Sequence, residues 1–169
     1  MSVTIRTASI EDAEAIAQIH ISCWQSAYKN ILPADFLSGL SLKEFEKRRA
    51  ISVQNPEIET IVATNKKDEI VGFAVAGKDR GGDKIYTSEL YAIYVSPDQQ
   101  RGGVGRALFF EMAKRLSQKC HSSMKLWVFR DNTYKHFYKK LNGIWLEETQ
   151  IEFAGKKYWK EAYGWLDLS

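Results

Sequence analysis

Apolar and polar residues change period several times along this chain. Thr4 to Thr7 reads as a short first strand. Behind it, Ala13, Ile16, Ala17, Ile19, His20, Cys23 and Trp24 recur at helical spacing and predict a helix to about Tyr28. Ser9-Ile-Glu-Asp12 supplies its start, with Ser9 placed to cap free backbone N–H groups. Pro33 interrupts the pattern. A second helix or a broken pair follows through Phe36, Leu37, Leu40 and Phe45, helped by a Ser41-x-x-Glu44 capping box. The middle is β-rich. Ile58 to Ala63 and Ile70 to Ala76 flank the turn-like Asn65-Lys-Lys-Asp68, and a third run extends from Ile85 to Val95 after Arg80-Gly-Gly-Asp83. These three runs predict an antiparallel meander.

Beyond Pro97 a glycine-bearing loop leads into an amphipathic helix from about Val104 to Gln118. Its apolar stripe is Val104, Ala107, Leu108, Met112 and Leu116, with Lys114 and Arg115 directed to water. Met124 to Phe129 follows as a strand, and a strand–helix–strand crossover implies a parallel pair. Asn132 to Leu141 reads as a short helix. Gly143 to Phe153 and Lys157 to Leu166 then form a closing hairpin around Ala154-Gly155. The expected class is α/β, with a mixed, mainly antiparallel sheet flanked by helices.

Composition narrows the possibilities without choosing one. The chain has 169 residues, 44% hydrophobic and 27% charged, which fits a single domain over residues 1–169. Lys and Arg number 24 against 21 Asp and Glu, a net +3 that indicates no general nucleic-acid binder. Cys23 and Cys120 are isolated, which suits a reducing, cytoplasmic compartment and no disulfide framework. His20, His121 and His136 lack metal-ligand spacing, so no metal is expected. No apolar run approaches the ~20 residues of a bilayer span, and no membrane partner is expected.

Gln100-Arg-Gly-Gly-Val-Gly105 carries the chemistry. It lies between a strand and a helix, where free N–H groups and the helix dipole hold anions. Gly102, Gly103 and Gly105 let the backbone approach a ligand closely, and Val104 opens the helix. Arg101 and Arg106 flank the turn, where an ordinary helix start favours Asp or Glu. A phosphate or pyrophosphate would balance them. Arg106-Ala107 replaces the Lys-Ser/Thr of a P-loop, and Leu108 occupies the third glycine position of the dinucleotide fingerprint. A plain tight connection is the alternative.

Gln100, Gly103 and Gly105 match Q/R-x-x-G-x-G/A, the hallmark of the GNAT family of N-acetyltransferases, which this chain resembles. Glu89-Leu-Tyr-Ala-Ile-Tyr-Val-Ser-Pro97 resembles the family's central strand, and Asn132-Thr-Tyr-Lys-His-Phe-Tyr138-Lys-Lys-Leu-Asn-Gly143 its later Asn…Phe-Tyr…Gly segment. The three segments cover roughly residues 85 to 145. The resemblance implies acetyl-CoA between two splayed parallel strands, those ending at Val95 and running from Met124 to Phe129. Its pantetheine arm would pair with Ile93, Tyr94 and Val95, its pyrophosphate would rest on Arg101 to Arg106, and Asn132 would touch the arm.

By the same resemblance Tyr138 is the expected general acid, since a phenol is neutral at pH 7 and keeps a proton to give. Phe137 is the more natural core aromatic. Glu89 is the expected base, acting through water on the attacking amine, or else a solvated residue at a strand edge. Trp24 and Tyr28 line the acceptor pocket or fill the core. Glu147, Glu148 and Glu152 read as a solvated face. The expected activity is direct acetyl transfer to a primary amine, of a small molecule such as a polyamine or of a peptide or protein. A non-catalytic acyl-CoA-binding module is the alternative. Edge strands allow a homodimer, and Tyr158, Trp159, Tyr163 and Trp165 belong to core or interface.

Overall fold

A computed structural model describes residues 3–168. The strands are β1 (Thr4–Thr7), β2 (Ile58–Thr64), β3 (Ile70–Lys78), β4 (Ser88–Val95), β5 (Met124–Phe129), β6 (Ile144–Phe153) and β7 (Lys156–Trp165). The helices are α1 (Ala13–Ala27), α2 (Ala34–Ser38), α3 (Leu42–Gln54), α4 (Val104–Gln118) and α5 (Lys135–Lys140). One seven-stranded sheet has the order β1-β2-β3-β4-β5-β7-β6. Every neighbouring pair is antiparallel except β4–β5, which α4 connects as the crossover.

Both faces of the sheet centre are covered, so β2 and β3 read as continuous apolar runs. Ile61, Ala63, Ala74 and Ala76 meet Val104, Leu108, Met112 and Leu116 of α4. Val62, Phe73 and Val75 face the other way, against Ile16, Ile19 and Cys23 of α1. Leu108 and Met112 have no exposed surface, and burying such side chains stabilises by roughly 1.5–3 kcal/mol each. A third cluster of Tyr28, Leu32 and Leu37 gathers under α2, with Phe129, Phe153 and Tyr158 packed on it.

The predicted elements are present; the stretch after Pro33 is the broken pair, and the Ser41 hydroxyl caps α3 by accepting the Glu44 N–H. Three differences stand beside this. β4 begins at Ser88 rather than Ile85, because the Asp83 carboxylate takes the N–H groups of Ile85 and Tyr86 and bends the chain. α5 begins at Lys135, since the Asn132 carboxamide oxygen accepts the Tyr134 N–H and holds a turn before it. Arg115 is not directed to water: it binds Glu59 and Glu111, bridging α4 to β2. Of the aromatic ending, Tyr163 and Trp165 are core and Trp159 is exposed.

His20 is a packed core histidine, enclosed by the rings of Trp24, Phe45, Phe73 and Tyr94. Burial, and then Arg49 and Arg48, push its pKa from 6.5 down to about 3. Unfolded, this imidazole binds a proton that the folded protein refuses. Its contribution to stability is therefore complete above pH 6.5 and is lost as pH falls toward about 3. His20→Phe is expected to flatten the unfolding free energy across that window; denaturant titrations in which the slope persists would exclude His20 as its source.

Candidate active site

β4 and β5 pair only at Ser88–Met124 and Glu89–Lys125. From Leu90 onward, the side of β4 facing β5 has no strand partner. A bulge causes part of this separation. Against β3, Val75 opposes Ala92 and Ala76 opposes Leu90, leaving Tyr91 as the extra residue. Such a bulge bends its strand and increases the local twist, carrying Ala92 to Val95 away from β5. The strands thus enclose a cavity of about 660 Å³, lined by Leu90 to Val95 and by Leu126, Trp127 and Val128. Unpaired backbone groups along such a wall need a polar partner, which an extended, amide-bearing ligand supplies.

One end of the cavity is built for an anion. A 3₁₀ turn at Pro97–Gln99 closes β4. Gln100 then ties the loop down, donating from Nε2 to the Val95 carbonyl at 3.0 Å and accepting from the Tyr134 hydroxyl at 2.7 Å. Arg101 and Gly103 both take positive φ, 63° and 86°, the left-handed conformation that recurs in anion-binding backbone turns. Gly103 is the N-cap of α4, without a side-chain cap and without an acid in the first turn. The leading N–H groups of α4 therefore lack protein partners of the usual kind. Arg101, Gly103, Gly105 and Arg106 line this end; Gly102 and Val104 complete the turn. Gly105 lies against Phe137, whose ring a Cβ there would reach at 3.4 Å. These residues fit a phosphate-bearing ligand.

Three tyrosines stand at the middle of the cavity: Tyr28, Tyr94 and Tyr138 all line it. The Trp24 indole donates to the Tyr94 hydroxyl at 2.9 Å, and the hydroxyls of Tyr94 and Tyr28 are 3.4 Å apart. Trp24 is thus set behind the wall, holding Tyr94, whereas Tyr28 reaches the cavity. Burial raises the Tyr138 pKa, and nearby Tyr28 raises it further. Its hydroxyl accordingly retains its proton at neutral pH. Asn132 is buried and lines the same region. The Cys23 thiol donates to the Val95 carbonyl at 3.1 Å, and burial pushes its pKa up to about 12. It is no thiolate nucleophile at neutral pH.

Glu89 does not line the cavity. Its side chain is 4% exposed and accepts from Arg80 three times: from Nη2, from Nε at 3.1 Å and from the backbone N–H at 3.2 Å. Beside it, Lys125 of β5 binds Asp79 at 3.1 Å and Asp83 at 2.9 Å. The buried end of the β4–β5 junction is therefore an ion cluster. Sequence reasoning missed Tyr91 and Trp127, both on the cavity wall, because their aromatic character reads equally as core. It also missed Arg80, whose partner lies nine positions away. Among the described residues, no group of three or more His, Cys, Asp or Glu forms a metal-binding cluster. Nor is any described helix long and apolar enough to cross a membrane.

Comparisons with known proteins agree with this geometry. The profile of the acetyltransferase (GNAT) family matches residues 14–144. The uncharacterised N-acetyltransferase YuaI of Bacillus subtilis is 38% identical over 168 residues, covering 99% of this chain and 95% of that protein. A spermidine N(1)-acetyltransferase of Thermoplasma acidophilum is 24% identical over 160 residues, covering 88% and 92%. The crystal structure of PaiA N-acetyltransferase from Thermoplasma acidophilum in complex with coenzyme A superposes with a TM-score of 0.71 at 22% identity, covering 95% of this chain and 98% of that one. The family profile and the relative at 38% identity together show that this chain belongs to the GNAT family of acetyltransferases, as an N-acetyltransferase.

Proposed function

We propose that the protein transfers an acetyl group from acetyl-CoA directly to a primary amine, with Tyr138 as general acid. The observation that carries this is a cavity open between β4 and β5 that ends at the uncapped start of α4. In this assignment Ile93, Tyr94 and Val95 hold the pantetheine amides, Gln100 to Arg106 take the pyrophosphate, and Asn132 bounds the arm. Acetyl-CoA supplies the acetyl group as a thioester, whose C–S bond breaks as the new C–N amide bond forms. Backbone N–H groups on the free edge of β4 polarise the acetyl carbonyl. The Tyr138 hydroxyl gives its proton to the departing sulfur and recovers one from the amine by way of solvent. The high pKa of the Cys23 thiol favours direct transfer over an acetyl-cysteine step.

Glu89 receives a different part from the base expected of it. Its carboxylate is taken up by three hydrogen bonds from Arg80 and lies outside the cavity, so we assign it to holding Arg80 over the Tyr91 ring. The acceptor enters beside Tyr28, Tyr91 and Trp127. The spermidine N(1)-acetyltransferase acts on an amine, which supports an amine acceptor in this chain as well.

Acetyl-CoA at 100 times its Kd is expected to raise the melting temperature by about 5–10 °C, following from about 2.7 kcal/mol of linked stabilisation in a domain of this size. ATP at the same concentration should leave it unchanged. The reverse order, measured by scanning calorimetry, would remove acetyl-CoA as the ligand.

A further inference from the structure

α5 carries four basic side chains, and helical spacing sorts them into two pairs. Lys135 and Lys139, four positions apart, share one side of the helix. Both turn toward β7: Lys135 binds Glu161 at 3.3 Å, and the Lys139 ammonium stands 6.0 Å from the centroid of the Tyr163 ring. His136 and Lys140, also four apart, line the cavity instead. Asn132, one turn before them, lines it too. Along this face the segment passes from a buried carboxamide to two exposed basic groups.

The basic face stands beside the glycine turn. The Tyr134 hydroxyl donates to the Gln100 carboxamide oxygen at 2.7 Å, and the Phe137 ring lies against Gly105. The segment that carries His136 and Lys140 is thus fastened to the loop that opens α4. Arg101 and Arg106 belong to that loop and line the same cavity. Among the described residues, no Asp or Glu lines the cavity, and no carboxylate forms an ion pair with Arg101, Arg106, His136 or Lys140. The anion end therefore has two basic walls, and the pyrophosphate assigned to the glycine turn meets only one of them.

Coenzyme A has a second anion to offer. Its pyrophosphate leaves the 5′ position of the ribose, and a phosphomonoester leaves the 3′ position. Two groups on one ribose stay close together however the rest of the cofactor is arranged. A phosphomonoester carries a charge of about −1.5 to −2 at pH 7.

We propose that His136 and Lys140 bind the 3′-phosphate of the acetyl donor and so select coenzyme A over its 3′-dephospho form. This rests on the acetyl-CoA reading above and deepens it. Lys140 supplies a full charge and His136 an imidazole N–H. Both side chains stay in contact with water, so salt screens the interaction.

The test compares acetyl-CoA with acetyl-3′-dephospho-CoA by titration calorimetry, at low and at physiological ionic strength. At low ionic strength acetyl-CoA is expected to bind about tenfold tighter, the scale of a hydrogen bond to a charged group, and added salt should shrink that ratio. His136→Ala combined with Lys140→Met should bring the ratio to about one. The dephospho form should bind that double variant as it binds the wild type, which shows that the fold and the pyrophosphate turn are intact. Lys140→Arg alone should retain most of the ratio. A wild-type ratio near one, a ratio that survives the double substitution, or an equal loss of both ligands in the double variant would each overturn the proposal. If neither ligand binds the wild-type protein, the acetyl-CoA reading itself falls, and the proposal with it.

Discussion

Tyr138→Phe is expected to lower kcat by about 10²–10⁴-fold, the range usual for removing a general acid, with the Kd for acetyl-CoA nearly unchanged. The substitution removes one hydroxyl and keeps the ring that packs on the α4-side core with Phe137. Among the described residues no side chain hydrogen-bonds that hydroxyl, so its loss breaks no structural contact. Burial raises the phenol pKa further above neutrality. The wild-type rate should therefore show no loss of the acid form around neutral pH. Single-turnover measurements separate this from a defect in product release. A variant with wild-type kcat across pH would remove Tyr138 from proton transfer.

The second large effect is at Gly103. Its φ of 86° suits glycine, and a Cβ built there meets nothing within 4 Å. Gly103→Ala should consequently cost only the left-handed backbone strain of about 1–2 kcal/mol and keep acetyl-CoA binding. Gly103→Glu suffers the same strain but sets a carboxylate at the start of α4, where a negative charge favours the helix itself. That charge opposes the pyrophosphate. The affinity for acetyl-CoA is expected to fall by about 100-fold or more, as juxtaposed like charges cost several kcal/mol. Measuring binding and thermal stability of both variants distinguishes a blocked site from an unfolded one. Equal affinities for the two would show that the anion does not rest at this turn.

Much of the fold was legible because the relevant residues are neighbours in sequence. α4 and β5 fall on their predicted bounds, since α4 carries a strong apolar stripe and β5 is a short, mostly apolar run ending in Trp-Val-Phe. The glycine turn was legible for a similar reason: positive φ, an uncapped helix start and flanking arginines all sit within seven residues. Features made by tertiary contact were not. The bulge at Tyr91 changes the face of β4, yet Glu89 to Val95 reads as an unbroken strand. Glu89 resembles an available carboxylate until Arg80 is seen to close on it. Ile85 to Thr87 has strand composition, but Asp83 claims its N–H groups and the Tyr86 ring packs on Gly164.

The short ladder between β4 and β5 also decides how the molecule yields under strain. Two residue pairs and the lysine-centred ion cluster of Asp79, Lys125 and Asp83 fasten the two halves of the sheet at one end. At the other end, no strand-to-strand bond resists their separation. In mechanical terms the halves are two plates joined by strand pairing at one end and elsewhere only through side chains, those of the α4 core and the Tyr134–Gln100 hydrogen bond. Width at the open end is then set by whatever bridges the gap, so the ligand completes the sheet rather than merely filling a hole in it.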